Sequence, residues 1–119
     1  MFGQAVANKY RNMPVEVDGI TFASKKESTI YLDLKAMLAR REIKRFERQV
    51  KYVLIPNQLG PDGKVLERAV TYIADFKVVY PDGEVVVIDC KGAKGGLDQK
   101  YLIKKKLMLW IHRIRIKEV

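Results

Sequence analysis

A chain of 119 residues with 48% hydrophobic side chains can bury one core and is too short for a second. Its formal charge of +9 at pH 7 points to a polyanionic partner, nucleic acid before an anionic membrane surface. The single Cys90 excludes an internal disulfide and a cysteine-based zinc site. No apolar run reaches the ~18 residues of a membrane span and the N-terminus lacks an apolar signal core, so a soluble, intracellular protein is expected.

Taken in chain order, residues 1–19 read as a polar N-terminal arm ending in a turn at Val17-Asp18-Gly19, and residues 20–119 as a single domain. From Ser24 the spacing of Ile30, Leu34, Met37 and Leu38 predicts a helix to about Arg41, and Ser24-Lys25-Lys26-Glu27 has capping-box spacing. A β-rich run from Val50 to Ile55 follows, then a turn at Gly60-Pro61-Asp62-Gly63 and a strand from Ala69 to Tyr80. Pro81-Asp82-Gly83 turns the chain into a strand from Glu84 to Lys91. After the glycine-rich stretch 92–96, Asp98 is placed to cap a helix running to roughly Ile111. The strict alternation of Arg113 to Lys117 predicts an edge strand. The order is helix, three-stranded meander, helix, strand.

The hairpin around Pro81-Asp82-Gly83 raises the chemical question, because Asp75 and Asp89 each interrupt an apolar strand. A type I turn closed by a bulge at Gly83 pairs Tyr80 with Glu84 and sets Asp75 opposite Asp89. A two-residue Asp82-Gly83 loop would pair Asp75 with Cys90 instead; the first register is preferred because Pro81 cannot donate to a ladder. Directly opposed residues share a face with Cβ atoms ~4.5–5.5 Å apart, and Lys91 shares that face with Asp89. Both strands read as buried on both faces, so two carboxylates there require neutralisation, and a divalent cation would supply it. Mg²⁺ takes oxygen ligands, activates water and stabilises a phosphodiester in displacement. Lys91 beside it would contact the scissile phosphate or orient the water.

Asp75 followed by Asp89-Cys90-Lys91 resembles the PD-(D/E)XK nuclease signature, and the element order over roughly residues 20–118 is that family's core. The segments NKY, VDGITFASKKE, TYIADF and VIDCKG also resemble a small phage and prophage family related to Holliday-junction resolvase-type endonucleases. Ala74 stands where the motif has proline. The resemblance implies an α/β (α+β), restriction-endonuclease-like fold with a mixed sheet flanked by helices on both faces. It also implies Mg²⁺ or Mn²⁺ held by Glu27, Asp75 and Asp89, Lys91 as a catalytic group, and Gln99 as an approximate match to a family position on the second helix. Branched DNA as substrate, a homodimer, and a bacterial host cytoplasm follow from the same resemblance. Glu27 has a competing use, because a capping box would engage it with the Ser24 backbone.

Two basic runs flank the acids. Arg40, Arg41, Lys44, Arg45, Arg48 and Lys51 outnumber Glu42 and Glu47, and the lysines between 91 and 106 face only Asp98. Such runs are usually solvated faces, but on either side of an acidic pocket they suit a phosphate track. The nucleic-acid contacts expected are Lys25, Lys26, Arg45, Arg48, Lys94, Lys100, Lys104 and Lys105. Lys91 to Gly96 lacks Walker spacing, and the lone His112 has no serine or cysteine partner, so neither nucleotide hydrolysis nor a catalytic triad is expected. The reading is a metal-dependent DNA endonuclease. The alternatives are an inactive nucleic-acid-binding module on a nuclease-like fold and a broad-specificity phage nuclease.

Overall fold

A computed structural model describes residues 13–91 and 98–119. Strands β1 (Val15–Val17) and β2 (Ile20–Phe22) form an antiparallel hairpin whose turn residues Asp18 and Gly19 both have positive φ, 55° and 77°. This is the conformation Asp-Gly favours in a two-residue loop. The turn was foreseen; β1 lies within the segment expected as an arm. Asp18 ties the hairpin to the first helix by accepting from Tyr31 at 3.0 Å and Lys35 at 2.5 Å.

Helix α1 (Lys25–Ala39) starts at Ser24, whose side-chain oxygen accepts from the Glu27 N–H at 3.1 Å. Its buried residues Glu27, Tyr31 and Leu34 recur at helical spacing and form the inward face. The next strand, β3, spans Arg45–Ile55 and so begins five residues before the expected Val50. Charged neighbours hide an alternation in which Phe46 packs on the core and Arg48 lays its guanidinium 4.6 Å from the Phe22 ring centroid. A small hairpin, β4 (Gln58–Leu59) with β5 (Val65–Glu67), turns through the expected Gly60 to Gly63. Strands β6 (Val70–Val79) and β7 (Val85–Asp89) follow, then helix α2 (Gln99–His112), capped by Asp98, and β8 (Lys117–Glu118).

The main sheet runs β3-β6-β7-β8, antiparallel except for the parallel β7–β8 pair, so the protein is α+β with a mixed sheet. On β7, Val86 and Ile88 pack in the core with α1, whereas Val87 packs in the core with α2. The two helices therefore cover opposite faces there. The last strand starts later than Arg113 because that residue is left-handed, with φ 60°. Its N–H and that of Ile114 still donate to the Leu109 and Met108 carbonyls, closing the helix.

The sheet has a discontinuity at one level. Residues two apart on a regular strand share a face, yet Ala74 and Phe76, both 0% exposed, lie in different cores. Ala74 packs with α2 and Phe76 with α1. On β3 the same change falls between Arg48, stacked on Phe22 beside α1, and Tyr52, packed with the α2 core. Between them Gln49 has φ 52°, a left-handed conformation for a residue that rarely adopts it. Asp75 sits directly across from Gln49, at the crossover.

Candidate active site

The crossover corrects the expected placement of the two aspartates. The hairpin register is the expected one, with Tyr80 N–H donating to the Glu84 carbonyl at 2.9 Å, Phe76 opposite Ile88 and Gly83 at φ 94°. The ladder stops there, one pair short of Asp75 and Asp89. Asp75 instead turns its carboxylate to the Cys90 N–H, 2.7 Å away, with the Gln49 side-chain amide at 3.5 Å. The carboxylate thus takes the place of a ladder carbonyl. The expectation of burial on both faces also fails, since Ile73 is 52% and Val85 40% exposed.

Asp75 meets Glu27. The α1 cap points Glu27 inward, where it is 6% exposed, and one of its oxygens accepts from the Ala23 N–H at 3.1 Å. This is the capping-box return contact moved back by one residue, and it leaves the carboxyl close enough to Asp75 to raise its pKa. Burial pushes the Asp75 carboxyl above the ordinary carboxylate range. The Cys90 N–H opposes the shift, Glu27 adds to it, and the Gln49 amide works against it.

Asp89 faces the α2 side. It is 7% exposed; its Oδ1 lies 3.0 Å from Lys91 Nζ and its Oδ2 accepts from Tyr72 at 2.5 Å. Lys91 therefore shares a face with Asp89, as expected, and its ammonium rests 3.2 Å from the Tyr101 ring centroid. Burial first, and then the hydrogen bond to Asp89, hold the Tyr72 phenol well above its ordinary range, so it stays a donor. Between the two acid groups lies Cys90. Burial, with Asp75, Glu27 and Asp89 around it, pushes its thiol up to about 12, which keeps it protonated and a poor nucleophile.

The structure thus assembles two pairs, Glu27 with Asp75 and Asp89 with Lys91. Among the described residues no group of three or more His, Cys, Asp or Glu side chains is gathered in metal-binding geometry. Gln99, the first residue of α2, is exposed and makes no side-chain hydrogen bond among the described residues. His112 is structural, its Nε2 lying 2.8 Å from the Val53 carbonyl oxygen.

The basic residues divide by what they touch. Lys26 reaches the site, its Nζ donating to the Lys91 carbonyl at 3.3 Å, while Lys25 is exposed. Lys100 and Lys104 line a cavity of about 320 Å³ with Asp98, Thr71, Ile73 and the two tyrosines, Tyr72 and Tyr101, that contact Asp89 and Lys91. Arg45 is exposed, whereas Arg48 is stacked on Phe22 with a buried Nε that has no partner among the described residues. Lys105 is paired with Glu118 at 3.1 Å, and Lys94 lies outside the described residues. Tyr72, Tyr101, Glu118 and Gln49 were not singled out from the sequence. A signal existed only for the tyrosines, since a tyrosine at a core position needs a partner for its hydroxyl.

Fold and site together define a mixed-sheet α+β protein with two neighbouring carboxyl groups beside an acid–lysine couple. The chain belongs to the family described as "Protein of unknown function (DUF1064)", whose model matches residues 7–117. No curated protein matches it. No helix among the described residues is long and apolar enough to cross a membrane.

Proposed function

We propose that this protein is a metal-dependent DNA endonuclease that hydrolyses phosphodiester bonds, selective for branched DNA and resembling Holliday-junction resolvase-type enzymes. The observation that carries the reading is the approach of Glu27 and Asp75 inside the fold, beside Asp89 and Lys91. Two carboxyl groups so close call for a shared proton or a cation. Glu27 and Asp75 offer the oxygen donors a hard cation takes; Asp89 has both oxygens engaged and would join them by loosening its contact with Lys91. Mg²⁺ or Mn²⁺ bound there would supply water activation and stabilisation of charge on the phosphodiester.

The chain's own groups have separable tasks on this reading. The Cys90 N–H orients the Asp75 carboxylate, and Lys91 presents its ammonium to the reacting phosphate. Lys26, Lys100 and Lys104 neutralise flanking phosphates. The protein works in the cytoplasm, as a homodimer that cuts two strands. The test is a cleavage panel of four-way junction, flap, single-stranded and duplex DNA with Mg²⁺ or Mn²⁺. Junction cleavage abolished by EDTA is expected; undiminished activity in excess chelator removes the metal, and equal cutting of all substrates leaves a broad-specificity nuclease.

One observation favours a second reading, a nucleic-acid-binding module without catalysis: Asp89 is fully engaged by Lys91 and Tyr72. Tight binding across the panel with no cleavage in either metal selects it.

A further inference from the structure

The Lys91 ammonium is held from two directions, by Asp89 Oδ1 at 3.0 Å and by the face of Tyr101 at 3.2 Å from the ring centroid. Tyr101 is itself fixed. It is 7% exposed, its ring comes from the first turn of α2, and its hydroxyl donates to Glu118 Oε2 at 2.5 Å. Glu118 is placed by β8, where it stands opposite Asp89 in the parallel ladder. The backbone on either side repeats the link, with Lys91 N–H donating to the Val119 carbonyl at 3.0 Å and Val119 N–H to the Asp89 carbonyl at 3.1 Å. A lysine side chain has four rotatable carbons and no geometry of its own. An aromatic face attracts a cation but lets it slide, so the orientation of the ring decides where the ammonium rests.

We propose that Tyr101, anchored through its hydroxyl by Glu118, is the positioning residue for Lys91 and sets its ammonium where a phosphodiester reacts. The catalytic consequence rests on the nuclease reading; the placement of the ammonium does not. A tyrosine that merely filled the core would need a partner for its hydroxyl but no lysine on its face. Lys91 is the catalytic group in this arrangement and Tyr101 acts through it.

The experiment has two readouts on the full chain. In ¹H–¹³C NMR spectra the Lys91 ε-methylene, identified by its loss in Lys91→Arg, should resonate upfield of the other lysines because it lies over the ring. Tyr101→Leu should abolish that shift and lower the single-turnover rate at saturating four-way junction by about 10²-fold, the cost of a misplaced reacting group, with DNA affinity unchanged. Tyr101→Phe keeps the ring but loses its anchor to Glu118, so it should weaken the upfield shift and cost less rate than Tyr101→Leu. If Tyr101→Leu fails to fold, Glu118→Gln at the sheet edge gives the same reading through a weaker shift and a lower rate. An unshifted Lys91 in the folded parent, or a Tyr101→Leu variant cleaving at the parental rate, overturns the proposal. If the parent shows the shift, Tyr101→Leu loses it, and neither cuts DNA, the nuclease reading falls while the placement of Lys91 by Tyr101 stands.

Discussion

The two acid pairs lie on either side of Cys90 and are electrostatic opposites. Glu27 and Asp75 form a like-charged pair attached to α1 and steadied by backbone N–H groups. Asp89 and Lys91 form an opposite-charged pair attached to β6 through Tyr72 and to α2 through Tyr101. Removing a charge from the first relieves repulsion; removing one from the second strands a partner. The same aspartate-to-asparagine change must therefore have opposite effects on stability at two positions that look equivalent in the motif.

The largest expected effect lies in the second pair, on catalysis. Lys91→Ala should lower the single-turnover rate by about 10²–10⁴-fold, the usual contribution of a positioned acid–base group, while leaving DNA affinity nearly unchanged. Rescue of the rate by saturating protein would reduce Lys91 to one more binding charge.

Next comes the effect of Asp89→Asn on folding in EDTA. Its side chain is 10% exposed and that of Lys91 19%, so the ammonium would lose its counter-charge with little solvent to replace it. A loss of roughly 1.5–3 kcal/mol in urea denaturation is expected, the range for hydrogen bonds to charged groups. Asp75→Asn under the same conditions should be at least as stable as the parent. Equal destabilisation by both changes would abolish the contrast between the pairs.

The pH dependence sharpens it further. The folded-state pKa of Asp75 is raised, so the folded protein binds the proton more tightly than the unfolded chain does. This contribution is fully present below the unfolded value of ~3.9 and is lost as pH rises through the folded one. The advantage of Asp75→Asn in chelator should accordingly be greatest at neutral pH and shrink as pH falls toward about 4. A constant advantage across that window would mean that neither burial nor Glu27 raises the pKa of Asp75.

The smallest effects belong to the basic surface. Lys100→Ala and Lys104→Ala should each reduce the log–log salt slope of duplex binding by ~0.9. Lys105→Ala should change it less, because Glu118 already holds that ammonium. A full-sized change for Lys105 would show that DNA displaces the glutamate.

The order of the core elements, though not the β1–β2 and β4–β5 hairpins, was legible because it rests on local chemistry: the Ser24 and Asp98 caps, the Gly60 to Gly63 turn, and the Pro81-Asp82-Gly83 turn that fixes the register. The shared face of Asp89 and Lys91 followed from strand alternation, though not the ion pair they form there. What could not be read was the crossover at Gln49. Nothing in "FERQVKY" marks the glutamine as left-handed, and alternation extrapolated through it puts Asp75 beside Asp89 instead of beside Glu27. The strand ends were also obscured, β3 because charged residues surround Phe46, and β8 because Arg113 and Ile114 finish a helix before the strand begins. The tyrosine supports depend on contacts between distant segments, which no spacing rule encodes.

The parallel pairing of β8 with β7 has a consequence for biosynthesis. Residues 75, 89 and 91 leave the ribosome well before residues 117–119, yet the backbone at Asp89 and Lys91 is completed by Val119, and Tyr101 is anchored by Glu118. The hairpin carrying the acids can form early, while the lysine gains its fixed orientation only after α2 has crossed over and the last strand has docked. A nascent chain can hold the motif without holding the geometry, so the charged centre of this protein matures after the hairpin that carries its acids.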